Sequence, residues 1–539
     1  LLCYKKFLIN KVGIVVTENS KAKTLFLFGY SSESNRVSKR HYFLKSCTFL
    51  KQPLHCFNIK NDWLKKAGTL ALSSAITLSV TACGGGSTGH KALNSKEMQD
   101  RVTGYVGSIA ADEPQAAMVA RDILIRGGNA ADAATALGFA LTVTLPSRAS
   151  LGGGGACVAY RPGQPAQSFL FLPQPGNIKG TAGRPAAIPM MARGLYLLQA
   201  SNGKADINDI LQVTSNLAGN GVTVSDIFAS DLAAVQGPLF QDPAMQKLFT
   251  RRDGATLQAG DMLYQPRLKI IYDRLTTAGI SDLYIGSLAH SYTLGAQAAG
   301  GGLSGADFRN ALPVEAPALS ISLPNKETLY LVSPPADGGL GMGMAWKTQS
   351  NSLTTSQGTV AAWRASNPAA YDKQSILAQE EKAQSLLNNG QAGNGTLSSL
   401  PASTSYTVVD RNGEAVSCAL TMNNLFGTGR VAGTTGIVMA ASPNAAPQPL
   451  LTAAITTYKN RFLAAISASG QNDAAAAGAE SLNSLLNAGE NKENSAIAHP
   501  NTPQGRVNAV YCQDGLPGNT NKCRAYTDPQ GTGLALSSR

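Results

Sequence analysis

The chain has 539 residues, 43% hydrophobic and 14% charged, with a formal net charge of +12. Residues 1–66 hold 13 of the 45 Lys and Arg against only Glu18, Glu33 and Asp62, which is +10 of that total. The +2 left for the rest is too small and too scattered for a phosphate-binding surface, so nucleic acid is excluded as a partner.

The first methionine is Met98. Residues 1–63 therefore read as an untranslated upstream extension, with the true start near Leu64 at an alternative codon. Lys65-Lys66 then form a charged n-region, Ala67 to Leu78 an apolar h-region, and Val80-Thr81-Ala82-Cys83 a small-residue site ending in cysteine. Segment 64–83 resembles a bacterial lipoprotein signal peptide with its lipobox. That implies lipidation at Cys83, a tether over 84–104 that starts with three glycines, and a periplasmic or cell-surface protein anchored to the membrane. The apolar run is too short for a stable transmembrane helix.

Beyond Cys83 the chain keeps Cys157, Cys418, Cys512 and Cys523. Cys512 and Cys523 flank a polar, turn-rich loop, the pattern of a short disulfide-closed loop in an oxidising compartment. No second Cys or His cluster lies nearby, so neither a metal nor a cofactor is expected.

Glu113-Pro114 opens a helical face through Ala116, Val119, Ala120, Ile123 and Leu124, stopped by Gly127-Gly128. Asn129 caps a second, nearly all-apolar helix over Ala130 to Val143, which must be buried. Four glycines, Gly152 to Gly155, then feed a short strand. A phosphate-loop reading is weak here, because no Gly-Lys-Ser/Thr follows and a strand rather than a helix comes next.

An acidic helical run over Gln379 to Leu387 gives way to a Gly-, Asn- and Ser-rich stretch ending at Pro401. Such a stretch is either a plain linker or an exposed processing loop. After it, Tyr406 and Val408 alternate with their neighbours, Asn412-Gly413 signals a two-residue hairpin turn, and Val416, Cys418 and Leu420 alternate on the way back. With that turn, Thr404 faces Thr421, and Ser403 lies within one residue of the pair. A serine or threonine at a new chain terminus carries its own general base, an α-amine with a pKa of about 7.7–8.0. A Ser-His-Asp arrangement through His290 or His499 lacks the Gly-x-Ser-x-Gly elbow.

Several ordered motifs carry a family resemblance over roughly 105–465. They are Ala120-Arg121-Asp122-Ile123-Leu124, Gly127-Gly128-Asn129-Ala130-Ala131-Asp132-Ala133-Ala134, Leu151-Gly152-Gly153-Gly154-Gly155, Arg193-Gly194-Leu195 and Ser333-Pro334-Pro335-Ala336-Asp337-Gly338-Gly339. The densest runs are Val408-Val409-Asp410 to Ser417 and Thr421-x-Asn423-x-x-Phe426-Gly427-Thr428-Gly429. Together they resemble the γ-glutamyltransferases, or glutathione hydrolases. The resemblance implies a four-layer αββα N-terminal-nucleophile hydrolase sandwich, self-cleaved into a large chain (105–402) and a small chain (403–539) that stay associated. By position Ser403 takes the nucleophile's place after a cut between Ala402 and Ser403, with Thr404 as the alternative nucleophile. Thr421 and Asn423 match the residues that hold the nucleophile and orient the substrate, and Ser469-Gly470 falls near the oxyanion donors. The implied activity is acyl transfer from a γ-glutamyl-type amide to water or an amine. The alternative is an uncut, inactive relative serving as a surface-binding lipoprotein.

The departures lie in substrate recognition. The family's carboxylate-gripping arginine falls near Leu172, its amine-holding aspartate near Ala445, and its paired serines near Leu451 and Thr452. Each lost hydrogen bond to a charged group removes about 1.5–3 kcal/mol of binding.

Overall fold

The computed structural model describes residues 4–9, 12–19, 22–29, 44–49, 104–178, 183–349, 351–398, 401–487 and 497–538. The signal-like segment and Cys83 lie outside them. The chain divides into two units, residues 1–91 and 92–539. In the first, strands Tyr4–Ile9, Val12–Asn19, Ala22–Gly29 and Leu44–Phe49 pair antiparallel in sequence order.

The second unit is built on two antiparallel sheets. The larger contains β1 (Gly107–Ala111), β2 (Gly154–Tyr160), β3 (Gln167–Phe171), β4 (Val314–Pro317), β7 (Ala402–Asp410), β8 (Ala415–Asn423) and β13 (Leu534–Ser538), in the order β4-β3-β2-β8-β7-β1-β13. The smaller contains β5 (Leu319–Ser322), β6 (Glu327–Leu331), β9 (Thr452–Tyr458), β10 (Arg461–Ser469), β11 (Arg506–Leu516) and β12 (Cys523–Thr527), paired in sequence order.

Alternation along the strands makes the layers. On β8, Val416, Cys418 and Leu420 face a helical layer, while Ala415 and Ala419 face the other sheet. On β10, Ala464, Ile466 and Ala468 pack under helices, and Phe462 and Ala465 pack between the sheets. Each central strand is therefore buried on both faces, which accounts for the run of small apolar residues in it. Helices α1 (Pro114–Ile125), α2 (Ala130–Thr144), α3 (Met191–Asn202), α4 (Ile207–Asn220) and α5 (Asp226–Leu239) belong to the outer layer on the larger sheet. Helices α6 (Gly338–Thr348), α7 (Ser352–Ser366) and α9 (Ala474–Asn487) cover the smaller one, with α8 (Lys373–Asn389) beside them. The result is the αββα sandwich.

Local chemistry sets the element ends. The Glu113 side chain accepts from Ala116 N at the start of α1, and Asn129 and Asp132 form a reciprocal capping box on α2. Two bridges tie strands: Cys512–Cys523 as expected, and Cys157–Cys418, which joins directly opposed residues of β2 and β8.

The stretch before β7 is exposed over much of 390–398, yet it is seated on α7. A Cβ on Gly358 would come 2.4 Å from the Gly393 carbonyl oxygen, so the close approach requires glycine there. Asn472 Nδ2 donates to the Ser398 carbonyl at 2.9 Å, fixing the end of the stretch next to β10. No helix among the described residues is long and apolar enough to cross a membrane.

Candidate active site

The β7–β8 hairpin corrects one expectation. Val409 pairs with Ala415 and Asp410 N donates to Glu414 O, leaving a three-residue loop, Arg411 to Gly413, with Gly413 at φ +80°. The two-residue turn expected at Asn412-Gly413 is therefore one residue longer, a standard three-residue hairpin loop ending in a left-handed glycine. The register moves by one: Ser403 is opposite Thr421, and Thr404 is opposite Leu420.

One buried carboxylate locks this turn. Asp410 Oδ1 accepts from Asn412 N and Glu414 N, and its Oδ2 accepts from Ala130 N at the start of α2. Burial, and then the neighbouring Glu414 charge, push the Asp410 carboxyl up to about 6.

At the open end the ladder slips. Ala402 pairs with Asn423 while Ser403 pairs with Thr421, so Met422 is an extra residue bulged opposite the Ala402–Ser403 peptide. Asn423 takes a left-handed backbone at φ +65°, a conformation asparagine tolerates well. Thr421 Oγ1 donates to the Ala402 carbonyl at 2.5 Å and accepts from Asn423 N at 2.7 Å. Asn423 Nδ2 donates to the Ala441 carbonyl at 2.8 Å. Ser403 is 1% exposed, and its Oγ has no hydrogen-bond partner among the described residues.

A cleft of about 800 Å³ opens at this end. Ala402, Ser403 and Gly470 line it together with Arg148, Arg184, Arg506 and Ala445, and with an apolar wall from α5 that includes Val235, Pro238 and Leu239. Thr404, Thr421, Asn423 and Ser469 stand behind the wall rather than in it. Thr404 is fully buried and its hydroxyl is committed to Asp112, which distinguishes it from Ser403.

Asp112 is the residue that sequence reasoning missed. Its Oδ2 accepts from Thr404 Oγ1 at 3.0 Å, Ser405 N at 2.9 Å and Ser469 Oγ at 2.9 Å, and its Oδ1 accepts from Asn508 Nδ2 at 2.7 Å. One carboxylate between the sheets thus holds both the residues after Ser403 and the end of β10. Ser469, expected among the oxyanion donors, spends its hydroxyl here, and Gly470 alone of that pair reaches the cleft.

Arg148 fixes Ser403 from the cleft side. Its Nη1 donates to the Ser403 carbonyl at 3.2 Å, and its Nε and Nη2 grip Asp231 at 2.7 Å each. Burial works against the guanidinium charge, but Asp231, helped by Asp112, holds its pKa above the ordinary arginine value. Ser147 Oγ completes the Asp231 shell at 2.7 Å. Leu172, by contrast, is buried between the sheets and does not line the cleft, and Thr452 Oγ1 is committed to the Leu450 carbonyl.

Residues 116–374 match the family model described as Gamma-glutamyltranspeptidase. Glutathione hydrolase proenzyme of Escherichia coli (strain K12) is 27% identical over 382 residues, covering 62% of this chain and 65% of that protein. Glutathione hydrolase proenzyme 2 of Schizosaccharomyces pombe is 29% identical over 264 residues, covering 47% of this chain and 41% of that one. The chain thus spans less than two thirds of the length of these curated relatives. In fold it is similar to the crystal structure of a cephalosporin acylase from Bacillus halodurans, at a TM-score of 0.64 and 16% identity, covering 84% of this chain and 99% of that chain.

Proposed function

Because the chain is a divergent member of the γ-glutamyltranspeptidase family, we propose that it is an amidohydrolase that cuts itself between Ala402 and Ser403 and then uses Ser403 as its N-terminal nucleophile. One observation carries this reading. The buried, unpartnered hydroxyl of Ser403 lies beside a peptide carbonyl that already receives a hydrogen bond from Thr421 Oγ1.

In the first reaction Ser403 Oγ attacks the Ala402 carbonyl carbon and its proton passes to the departing amide nitrogen. Thr421 Oγ1 stabilises the oxyanion that forms on Ala402 O. The resulting ester is hydrolysed by water, leaving an Ala402 carboxylate and a free Ser403 α-amine. In the second reaction that amine takes the Ser403 hydroxyl proton while Oγ attacks a substrate amide. The amine product leaves, and the acyl-enzyme passes its acyl group to water or to an acceptor amine. Asp112 and Arg148 position the strand and do not touch the reacting atoms: Arg148 holds the Ser403 carbonyl and Asp112 holds Thr404 and Ser405.

Export and lipid attachment at Cys83 rest on the sequence pattern, and the two disulfides support an oxidising compartment. Intact-mass analysis of the purified protein tests the reading. We expect two chains meeting at Ala402/Ser403, and a single uncut chain in Ser403→Ala. A wild-type chain that stays whole on long incubation would instead make it an inactive, surface-binding relative. A junction at Ser403/Thr404 would move the nucleophile to Thr404.

A further inference from the structure

Arg148 and Arg506 line a second cavity as well as the cleft. It measures about 300 Å³ and runs from solvent into the sandwich: Asp226, Ser230 and Thr532 at its mouth are exposed, and Asp112, Asn508 and Asp528 at its inner end are buried. Arg148 Nη1 donates to the Ser403 carbonyl at 3.2 Å, and Arg506 sits opposite Ser469 in the ladder, beside Gly470 of the cleft wall. The two cavities thus share a partition of two arginine side chains next to the nucleophile.

The inner end has an unmet need for a hydrogen-bond donor. Asn508 is 1% exposed, and its Nδ2 donates to Asp112 Oδ1 at 2.7 Å and to the Ser405 carbonyl and Oγ at 3.0 Å each. Its Oδ1 has no partner among the described residues. The bonds of Arg506 to the Pro503 and Gly505 carbonyls and to Gln530 Oε1 all run through Nη1, which leaves Nε and Nη2 free to donate. An acceptor without a donor and a donor without an acceptor, in one roomy polar cavity, are the partners that bound water requires. Charge also favours a neutral occupant. Arg148 is taken by Asp231, Asp112 accepts from four donors, and Asp528 accepts from His499, Val507 N and Gln530 N. That leaves Arg506 inside and Asp226 at the mouth, so an ion of either sign meets one group that repels it.

The proposed reaction needs water where the cleft is obstructed. Pro401 and Ala402 line the cleft, so the ester formed by the first attack has its own leaving segment across the front, and in turnover the acyl group takes that place. We propose that the second cavity is the water inlet of this hydrolase: solvent enters past Asp226 and Thr532, is held on Asn508 Oδ1 and the Arg506 guanidinium, and passes between Arg148 and Arg506 to the ester on Ser403. The inlet rests on the hydrolase reading above. At the ester, the water oxygen bonds the carbonyl carbon and the carbon–Oγ bond breaks. One water proton reaches Oγ through the Ser403 α-amine, and the other goes to solvent as the new carboxyl group ionises.

Blocking the mouth tests the inlet. Ser230→Trp on α5 and Thr532→Trp just before β13 each add bulk at an exposed position, so the melting temperature should hold. Freshly purified uncut chain is followed by intact mass, and each variant should cut at least about fivefold more slowly than the wild type. Acid-quenched samples of the variants should contain a chain of full mass with Ser403 as a second free amino terminus, which is the stalled ester. Both variants cutting at the wild-type rate overturns the inlet, and so does slow cutting with no stalled ester, which would place the defect in the first attack. A crystal structure of Ser403→Ala gives a second measurement that needs no blocked variant to fold. Water is expected within hydrogen-bond reach of Asn508 Oδ1, and a dry cavity there overturns the inlet. The same mass measurements separate the two ideas: a wild-type chain that never cuts defeats the hydrolase reading and the inlet together, whereas a wild-type chain that cuts no faster than the blocked variants removes the inlet alone.

Discussion

Two walls of one cleft are made in different ways. The first, from Ala402 and Ser403 to Gly470, lies at the ends of two strand ladders: Ala402 and Ser403 have their places set by Asn423 and Thr421 across the sheet, and Gly470 follows directly on Ser469, which pairs with Arg506. The second, with Arg184, Leu239 and Ala445, is assembled from loops and the end of a helix that meet only through the fold. The strand wall presents Ser403, and Thr421 and the bulge at Met422 lie directly behind it. The loop wall shows the charge of Arg184 beside the apolar side chains of Val235 and Leu239. Under the proposed reaction, chemistry that depends on ångström placement falls to the rigid side, and recognition to the side where substitution is tolerated.

The comparison can be broken where the walls touch, at Arg148. Its partner Asp231 is 5% exposed, and Asp231→Ala leaves a buried guanidinium unpaired. A loss of about 3–5 kcal/mol is expected in urea unfolding. Self-cleavage measured well below the transition should slow less than tenfold, because strand register still holds Ser403. A cleavage defect as deep as that of a strand-wall change would show that the walls do not act separately.

On the strand wall, Thr421→Val should lower the self-cleavage rate by about 10²–10³, or about 2.7–4 kcal/mol in the barrier. Thr421→Ser should restore most of it. A valine variant that cuts at the normal rate would remove Thr421 from the mechanism.

The smallest effect lies apart from both walls. His499 Nε2 meets Asp528 Oδ2 at 2.5 Å, with both side chains buried. Burial opposes the imidazolium, but the Asp528 bond and charge outweigh it and raise the His499 pKa above its ordinary value. A raised folded-state pKa adds stability that is complete below the unfolded value of about 6.5 and is lost as pH rises through the folded one. The melting temperature should therefore fall as pH rises from about 6.5, and His499→Gln should flatten that slope while removing about 1.5–3 kcal/mol at low pH. An unchanged slope in the variant would place the pH dependence elsewhere.

Local signals told the sequence reader most of the strand wall. The proline and caps around Glu113 and Asn129 placed α1 and α2, and alternation around Asn412-Gly413 placed the hairpin. The register was off by one because a two-residue and a three-residue loop share the same Asn-Gly signal, and only the pairing of Val409 with Ala415 decides between them. Asp112 left no trace, since its bond to Thr404 spans 292 residues and an Asp before Glu-Pro reads as an ordinary helix approach. Cys157 and Cys418 are 261 residues apart, and nothing short of the strand order β2-β8 puts them face to face. The loop wall was illegible for the same reason. Arg184, Leu239 and Ala445 come from parts of the chain that sequence alone does not bring together.

The Cys157–Cys418 bridge changes what the proposed cut produces. Breaking one peptide bond ordinarily turns a single molecule into a pair whose union obeys mass action and weakens on dilution. Here one sulfur belongs to the segment before Ala402 and the other to the segment after Ser403, so the halves remain one covalent species at any concentration. The matured protein should migrate as a single band on a denaturing gel without thiol and as two bands with it. Its subunits could be exchanged or lost only where a reductant reaches a bond buried under the helical layer.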